Sequence, residues 1–440
     1  MSFSHLLTRA DSFLQETGVA PSSVDFDDVL TRFQEEMEHG LSEGAGSLAM
    51  IPTYIAAEGE VPPETPVLVL DAGGTNFRVA SVHFDKSGEP QIEGFRKNPM
   101  PGSEDREVGK QEFFKLLAAD IGELHTASSS IGFCFSYPTQ ISPDRDGRLL
   151  HFSKEIRAPE VEGEYVGRGL QEALRRMGVR EEKRIVVLND TVATLLAAKS
   201  TGAETQYSTH IGFILGTGLN CAYVEANERI RTIPSSQRGS GSQVINMESG
   251  GFCGFAGGAV DDEFDSTTNS PGYYRFEKMV SGAYLGPLAG TLLAAAAREG
   301  LFTDGTARRI HRLEPVDTIA LDTFLQRPAD RSSVIGAACE TDDDRTLCYR
   351  LLDALVERAG KLAAINIAAA VLRTGAGENP AVPAAVCADG TTFYRTHRLR
   401  FYTRFYLKAH LEEGRGRHLR LISRENAPLI GAAVAGLLNT

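Results

Sequence analysis

The 440-residue sequence has no C-x-x-C pair, no G-x-x-x-x-G-K-[ST] loop, no excess of basic charge and no long apolar run. Each absence removes a class of protein. The six cysteines (Cys134, Cys221, Cys253, Cys339, Cys348 and Cys387) are scattered, which excludes a zinc ribbon or a disulfide framework and fits buried free thiols in a reducing compartment. No stretch approaches the ~20 apolar residues that span a bilayer. The opening segment "MSFSHLLTRADSFLQETGVAP" lacks a long apolar core and carries Asp11 and Glu16, unlike a secretory or transit peptide. Acids outnumber bases 58 to 45, a formal net charge of −13, which argues against a nucleic-acid partner. There is no low-complexity tract or short-period repeat. The expectation is a cytoplasmic protein with neither a nucleic-acid nor a membrane partner.

What is present is a globular composition, 42% hydrophobic and 23% charged, long enough for about two or three domains. Phe3, Leu6, Leu7, Phe13 and Leu14 fit one face of an N-terminal helix. In "VDFDDVLTRFQEEMEHGL", Phe26, Val29, Leu30, Phe33 and Met37 recur at helical spacing, with Gly40 as the expected stop. "VPPETP" then leads into strands expected at 66–71, 77–84 and 130–136, with a helix over 110–125. "RIVVLND" is a short buried strand ending in polar residues. "THIGFILGTGLNCAYVE" is a strand, a Gly-Thr-Gly turn and a second strand. The segment 276–385 reads as largely helical, "AAVCADGTTFYR" as a further strand and Gly-Thr turn, and "LIGAAVAGLL" as a helix of small residues. Alternating strands and helices indicate an α/β protein of two layered domains.

Three apolar strands thus end in Gly-Thr turns. In "VLVLDAGGTNFRVA" the turn is followed by β-branched and aromatic residues, so it joins two strands as a hairpin and does not open a helix. Such a tip offers backbone N–H groups and a hydroxyl to phosphate oxygens. Gly73 and Gly74 permit close approach, beside Thr75 and Asn76. Asp71 at the strand end suits a water-mediated contact to Mg²⁺, and Arg78 supplies positive charge. Read one at a time, such turns are more often simple hairpins; three of them favour phosphate binding.

A second constellation is polar. Strand ends and turns deliver Ser136, Ser153, Lys154, Asn189, Asp190, Asn220, Glu248 and Glu277. Singly, each is more often a helix cap or a solvated residue, and Asn189 before a helix is a natural cap. Together they supply amides, carboxylates, hydroxyls and an ammonium, the set a polyhydroxylated substrate requires. An ionised Asp in such a set can accept the proton of an attacking hydroxyl during phosphoryl transfer.

The stretches "GSLAMIPTY", "LDAGGTNFRV", "IGFCFSYP", "LLHFSKE", "VVLNDTVATL", "FILGTGLNCAYVE", "INMESGGFCGF", "SPGYYRFEKMVSGAYLG" and "ADGTTFYR" occur in the order and near the spacing of the hexokinase/glucokinase family of the eukaryotic type. The chain resembles that family from about residue 46 to 290 and again over 386–440, and less over 300–385. The resemblance implies the actin-like ATPase (ribonuclease H-like) fold, with two domains and a deep cleft between them. The division it suggests is a helical segment 1–62 packed on the large domain, a small domain of 63–188 plus 427–440, and a large domain of 189–426. It implies an ATP-dependent hexokinase acting on the 6-hydroxyl of glucose and related hexoses, with Mg²⁺ carried by ATP and no metal held directly by the protein.

Residue by residue, the resemblance places Asp190 as the catalytic base. Ser136, Ser153, Lys154, Asn189, Asn220, Glu248 and Glu277 fall on sugar-contacting positions. Asp71, Gly73, Gly74, Thr75, Asn76, Arg78, Gly216, Thr217, Gly390 and Thr391 fall on the nucleotide side. Three departures are visible. Ser153 stands where the family usually has Thr, "PGYYR" puts Tyr273 and Tyr274 in place of paired glutamines, and "ENAPLIGAA" replaces a C-terminal Gly-Ser-Gly turn. The competing readings are an inert sugar-sensing regulator of the same fold, and a structural or chaperone ATPase, which has no use for the polar set. The sequence leaves monomer and homodimer both open.

Overall fold

The structure is a computed structural model that describes residues 3–104, 106–152, 156–200 and 206–439. Its strands are β1 Ile51–Pro52, β2 Val67–Ala72, β3 Asn76–Phe84, β4 Pro90–Pro99, β5 Ser130–Phe135, β6 Thr139–Ile141 and β7 Gly147–Leu149. They continue with β8 Arg184–Leu188, β9 Thr209–Leu215, β10 Leu219–Ala226, β11 Ser242–Asn246, β12 Ala384–Asp389 and β13 Leu419–Ile422. One sheet has the order β4-β3-β2-β5-β8, a second β1-β11-β10-β9-β12-β13, and β6 and β7 form a small ribbon.

The two large sheets share one design. In each, three antiparallel strands (β2–β4 or β9–β11) are followed by two parallel ones, β5 and β8 or β12 and β13. The hairpin tips β2–β3 and β9–β10 therefore occupy equivalent places, which accounts for the two similar strand–turn–strand units in the sequence. β2 is buried along its whole length, as its unbroken apolar run requires.

Helices Asp190–Ala197 and Ala427–Leu438 pack against each other and join the sheets. One buried cluster contains Val69, Ala80 and Cys134 from the first sheet, Ala222 and Val244 from the second, and Val192, Leu195, Ala432 and Val434 from these helices. Glycines allow backbones to touch here. A Cβ on Gly431 would lie 1.8 Å from the Ala193 carbonyl oxygen, and one on Gly132 would lie 1.8 Å from that of Ala432. The helix that begins at Asp190 is thus wedged between the sheets, and its first residue is fixed where their strand ends meet. Helices Lys110–Ile121 and Val166–Arg176 cover the outer face of the first sheet. Helices Phe26–Ser42, Leu285–Arg298 and the 33-residue Asp342–Thr374 cover that of the second.

The local expectations mostly hold, with instructive exceptions. The helix capped by Asp25 continues through Gly40 to Ser42. Gly40 is there because a Cβ would lie 2.6 Å from the Leu48 carbonyl oxygen, not because the helix stops. The Gly-Thr turn after β12 leads into a helix, Thr391–Arg395, whereas the turns after β2 and β9 lead into strands. Strand β4 is mostly exposed and β13 has only four residues, so neither carries an apolar pattern. Residues before position 60 include an edge strand, β1, paired with β11. Among the described residues, no helix is long and apolar enough to cross a membrane.

Candidate active site

On the first sheet, antiparallel register places Asp71 opposite Arg78. Arg78 Nη1 accordingly donates to Asp71 Oδ2 at 3.1 Å, with Asp71 buried and Arg78 partly exposed. The tip beyond them is pinned from two sides. The Tyr137 hydroxyl donates to the Gly74 carbonyl at 2.6 Å, and Met100 N–H to that of Thr75 at 2.9 Å. Gly74 has φ +96°, where a side chain would be strained. A Cβ on Gly73 would lie 3.1 Å from Asp71 Oδ1 and 3.7 Å from Ser136 Oγ. The bare glycine, the carboxylate and the hydroxyl therefore share one small space. Among the described residues, the Asn76 side chain reaches its neighbour, with Nδ2 3.5 Å from Thr75 Oγ1.

On the second sheet, Asn220 is the hub of a denser group. Its Nδ2 donates to Asn246 Oδ1 at 2.8 Å and to Glu248 Oε1 at 3.1 Å. Its Oδ1 accepts from the Cys221 and Ser249 N–H groups at 2.7 and 3.3 Å. Asn246 Nδ2 donates to the same Glu248 oxygen at 2.8 Å. Glu248 itself is left-handed, with φ +54°, and this turns its carboxylate back onto the two amides. Glu277 comes from the short helix Arg275–Lys278, and its Oε2 accepts the Leu219 N–H at 2.8 Å.

Among the described residues, Glu248 Oε2 and Glu277 Oε1 accept no protein hydrogen bond. Burial pushes both carboxyls above their ordinary values. For Glu248 the Asp190 charge adds to the rise and the Asn246 and Asn220 amides oppose it. For Glu277 the Leu219 N–H opposes it and the Glu248 charge adds to it. Two buried acceptors, each half-satisfied and neither ion-paired among the described residues, suit neutral hydroxyl donors.

Asp190 lies between these groups. Asn189 does cap the helix, its Oδ1 accepting from Thr191 N–H at 2.8 Å, so the ordinary reading of that residue holds for one of its polar atoms. Asp190 is the first helical residue, and Thr191 Oγ1 lies 3.3 Å from its Oδ1. Its charge reaches Glu248 on the second sheet. It also reaches the Cys134 thiol on the first, which burial, the Asp71 charge and then the Asp190 charge push well up. One carboxylate is therefore within electrostatic range of both constellations.

The second tip adjoins the hydroxyl-accepting group. Thr392 Oγ1 and Gly282 N–H each donate to the Gly216 carbonyl at 2.8 Å, and Ala283 N–H donates to that of Thr217 at 3.1 Å. Gly390, at φ +112°, packs so closely that a Cβ would lie 2.2 Å from the Leu215 carbonyl oxygen. This brings Gly216, Thr217, Gly390 and the start of the Thr391 helix together. Ser153 and Lys154 lie outside the described residues.

Three residues were missed. Asn246 shares the work of Asn220, Tyr137 holds the first tip, and Cys134 feels the charges of both Asp71 and Asp190. All three sit inside the motifs "INMESGGF" and "CFSYP": Asn246 next but one to Glu248, Tyr137 next to Ser136 and Cys134 next but one to it. Of the two tyrosines expected to alter the pocket, Tyr274 is the one near it: burial raises its hydroxyl, and the Glu248 and Glu277 charges add to the rise. Leu429 and Ile430 of the altered C-terminal turn are buried in the core between the sheets.

Family models described as hexokinase match residues 10–200 and 210–438. Human hexokinase-3 is 31% identical over 408 residues, 87% of this chain but 42% of that protein, so the chain spans less than half of that relative. Hexokinase-1 of Schizosaccharomyces pombe is 28% identical over 438 residues, 93% of this chain and 87% of that protein. A structure of Schistosoma mansoni hexokinase complexed with glucose superposes with a TM-score of 0.76 at 23% identity, covering 99% of this chain and all of that one. A second hexokinase structure gives 0.72 at 25% identity, over 99% of this chain and 96% of that one. The fold is that of these kinases, the actin-like ATPase fold.

Proposed function

The chain belongs to the hexokinase family, and we propose that it is an ATP-dependent hexokinase that phosphorylates the 6-hydroxyl of glucose and related hexoses. The observation that carries this reading is the position of Asp190, whose charge reaches the amide-held carboxylate Glu248 on one side and, on the other, Cys134, which the Asp71 charge also reaches. On this reading the free oxygens of Glu248 and Glu277 accept hydroxyl protons of the sugar, and Asn220 and Asn246 keep those carboxylates in place. Ser136, Asn189, Ser153 and Lys154 complete the sugar contacts. Asp190 takes the proton of the 6-hydroxyl as its oxygen bonds to the terminal phosphorus of ATP, and the bond to the departing ADP breaks.

A carboxylate of ordinary pKa about 4 is a weak base towards an alcohol, so positioning and electrostatics contribute most of the acceleration. The N–H groups of the two tips, Gly73–Asn76 and Gly216–Thr217, would hold phosphate oxygens, with Gly390 and Thr391 on the nucleotide side. Among the described residues, no group of three or more His, Cys, Asp or Glu side chains could hold a metal by itself. The donor set fits a cation that arrives on the nucleotide: Asp71 has one oxygen engaged by Arg78 and the other facing bare Gly73. Mg²⁺ bound with ATP would supply charge neutralisation of the phosphates.

The division into domains 1–62, 63–188 plus 427–440, and 189–426, and a cytoplasmic location, belong to the same proposal. Closure of the two units on the sugar would exclude water as a competing acceptor. The test is a coupled assay of ADP release with a panel of hexoses and nucleotides. Sugar-dependent release that Asp190→Ala removes supports the reading. Glucose binding without turnover from any nucleotide, or full activity in the variant, overturns it.

A further inference from the structure

Cys339 and Cys348 lie far along the chain from every residue assigned above. Their sulfurs are 3.7 Å apart, Cys339 at the end of helix Val334–Ala338 and Cys348 in the second turn of Asp342–Thr374. Both are free and buried, and Cys339 keeps a 4% exposure that Cys348 lacks. Arg345, one turn before Cys348, packs beside them. Its Nη1 meets Asp342, but its buried Nε and Nη2 have no hydrogen-bond partner among the described residues. Two buried guanidinium donors without an acceptor are costly unless an anion forms nearby. The Cys339 thiol is the group beside it: its Sγ donates to the Cys348 sulfur at 3.7 Å and to the Ile335 carbonyl at 3.4 Å. The interaction with Cys348 lowers its pKa, burial opposes, and the Arg345 charge lowers it further. The Cys348 thiol moves the other way, raised by its bond to Cys339 and by burial.

We propose that Cys339 and Cys348 form a peroxide-reactive dithiol, in which Cys339 is attacked by hydroperoxide and Cys348 closes an internal disulfide. The Cys339 thiolate displaces hydroxide from the peroxide O–O bond and becomes a sulfenic acid. The Cys348 sulfur then bonds to the Cys339 sulfur and expels that hydroxyl, which leaves as water with the Cys348 proton. Two thiols are oxidised to one disulfide and one hydrogen peroxide is reduced to two waters. Proximity makes the second step intramolecular, so the sulfenic acid is captured before further oxidation. Cys253, exposed and with no neighbouring thiol among the described residues, provides an internal contrast. The product ties one helix end to the next helix.

The sequence makes the product easy to detect. Trypsin cuts after Arg331, Arg345 and Arg350, so the two cysteines fall in separate peptides, 332–345 and 346–350. Purified full-length protein is treated with a few equivalents of hydrogen peroxide, quenched, alkylated and digested without reductant. The expected result is a joined 332–345/346–350 peptide, 2 Da lighter than the sum of the free thiol peptides after allowing for no alkylation, and lost on treatment with dithiothreitol. Cys348→Ser should leave Cys339 as a sulfenic acid that dimedone labels. Arg345→Gln should slow formation of the link several-fold. Oxidation of Cys253 with both buried thiols still alkylatable overturns the proposal. So does dimedone labelling of Cys348 in Cys339→Ser at the rate seen for Cys339. The wild-type digest decides the matter even if a variant fails to fold.

Discussion

The two large sheets share an arrangement of three antiparallel and two parallel strands, yet the carboxylates beside their strand ends are held in opposite ways. Asp71, on the first, is buried against a guanidinium. Glu248 and Glu277, on the second, are buried among amides and a backbone N–H, with no cation as a hydrogen-bonding partner among the described residues. The Asp–Arg pair stands where phosphate and its cation are expected. Carboxylates held by neutral donors carry raised pKa values and unused acceptor oxygens, an arrangement that a polyol can complete. Duplicated topology thus supports two chemistries, and the helix beginning at Asp190 lies between them. The Lys278–Asp265 pair shows that the second sheet's neighbourhood can pair a carboxylate with a cation, at 2.5 Å, where the role is structural.

The largest effect should come from the residue between the two groups. Asp190→Ala is expected to lower kcat about a thousand-fold while hexose still binds. Calorimetry of glucose binding beside a coupled assay separates the two quantities. Next in size, Glu248→Gln and Glu277→Gln replace an acceptor with a half-donor. Each should raise the hexose KM by roughly 10- to 100-fold, with a much smaller change in the KM for ATP. An equal rise in both would remove the distinction drawn between the sheets.

These residues were legible because strand ends in an α/β protein are short, polar and bounded by apolar runs, so Asp71, Asn189, Asp190 and Asn220 stand out. The geometry was not. The left-handed turn of Glu248, which directs it onto Asn220 and Asn246, leaves no mark in "INMESGG". The Arg78–Asp71 pair follows from hairpin register, and the register depends on the length of the tip. The Gly40 stop failed because a glycine needed for close packing looks the same as one that ends a helix. The third Gly-Thr turn looked like its two predecessors, although it opens a helix.

A smaller effect tests the first sheet alone. Arg78→Met leaves Asp71 buried beside a lost partner. Because Arg78 is partly exposed and screened, the expected loss is about 1–2 kcal/mol of stability, with weaker nucleotide binding and an unchanged hexose KM. Urea unfolding measures the first and steady-state kinetics the rest.

The smallest effect is a pair of opposed pH trends. The folded-state carboxyls of Glu248 and Glu277 lie above the usual 4.5. In the sugar-free protein, their contribution to stability is therefore present below the unfolded pKa and lost as pH rises through the folded one. Hexose binding should run the other way, weakening as pH falls through the same window and the acceptors take up protons. Thermal melts with and without glucose, followed from below the ordinary carboxyl value upward, track both. Parallel trends would mean that these carboxylates do not meet the sugar.

The most direct test of the central claim is where the phosphate goes. Purified protein is incubated with glucose, ATP and Mg²⁺ and the products are followed by phosphorus NMR. The account predicts a phosphomonoester whose phosphorus couples to the protons on C6, formed in step with ADP and absent without glucose. Inorganic phosphate as the sole new signal, unchanged when glucose is left out, would contradict it.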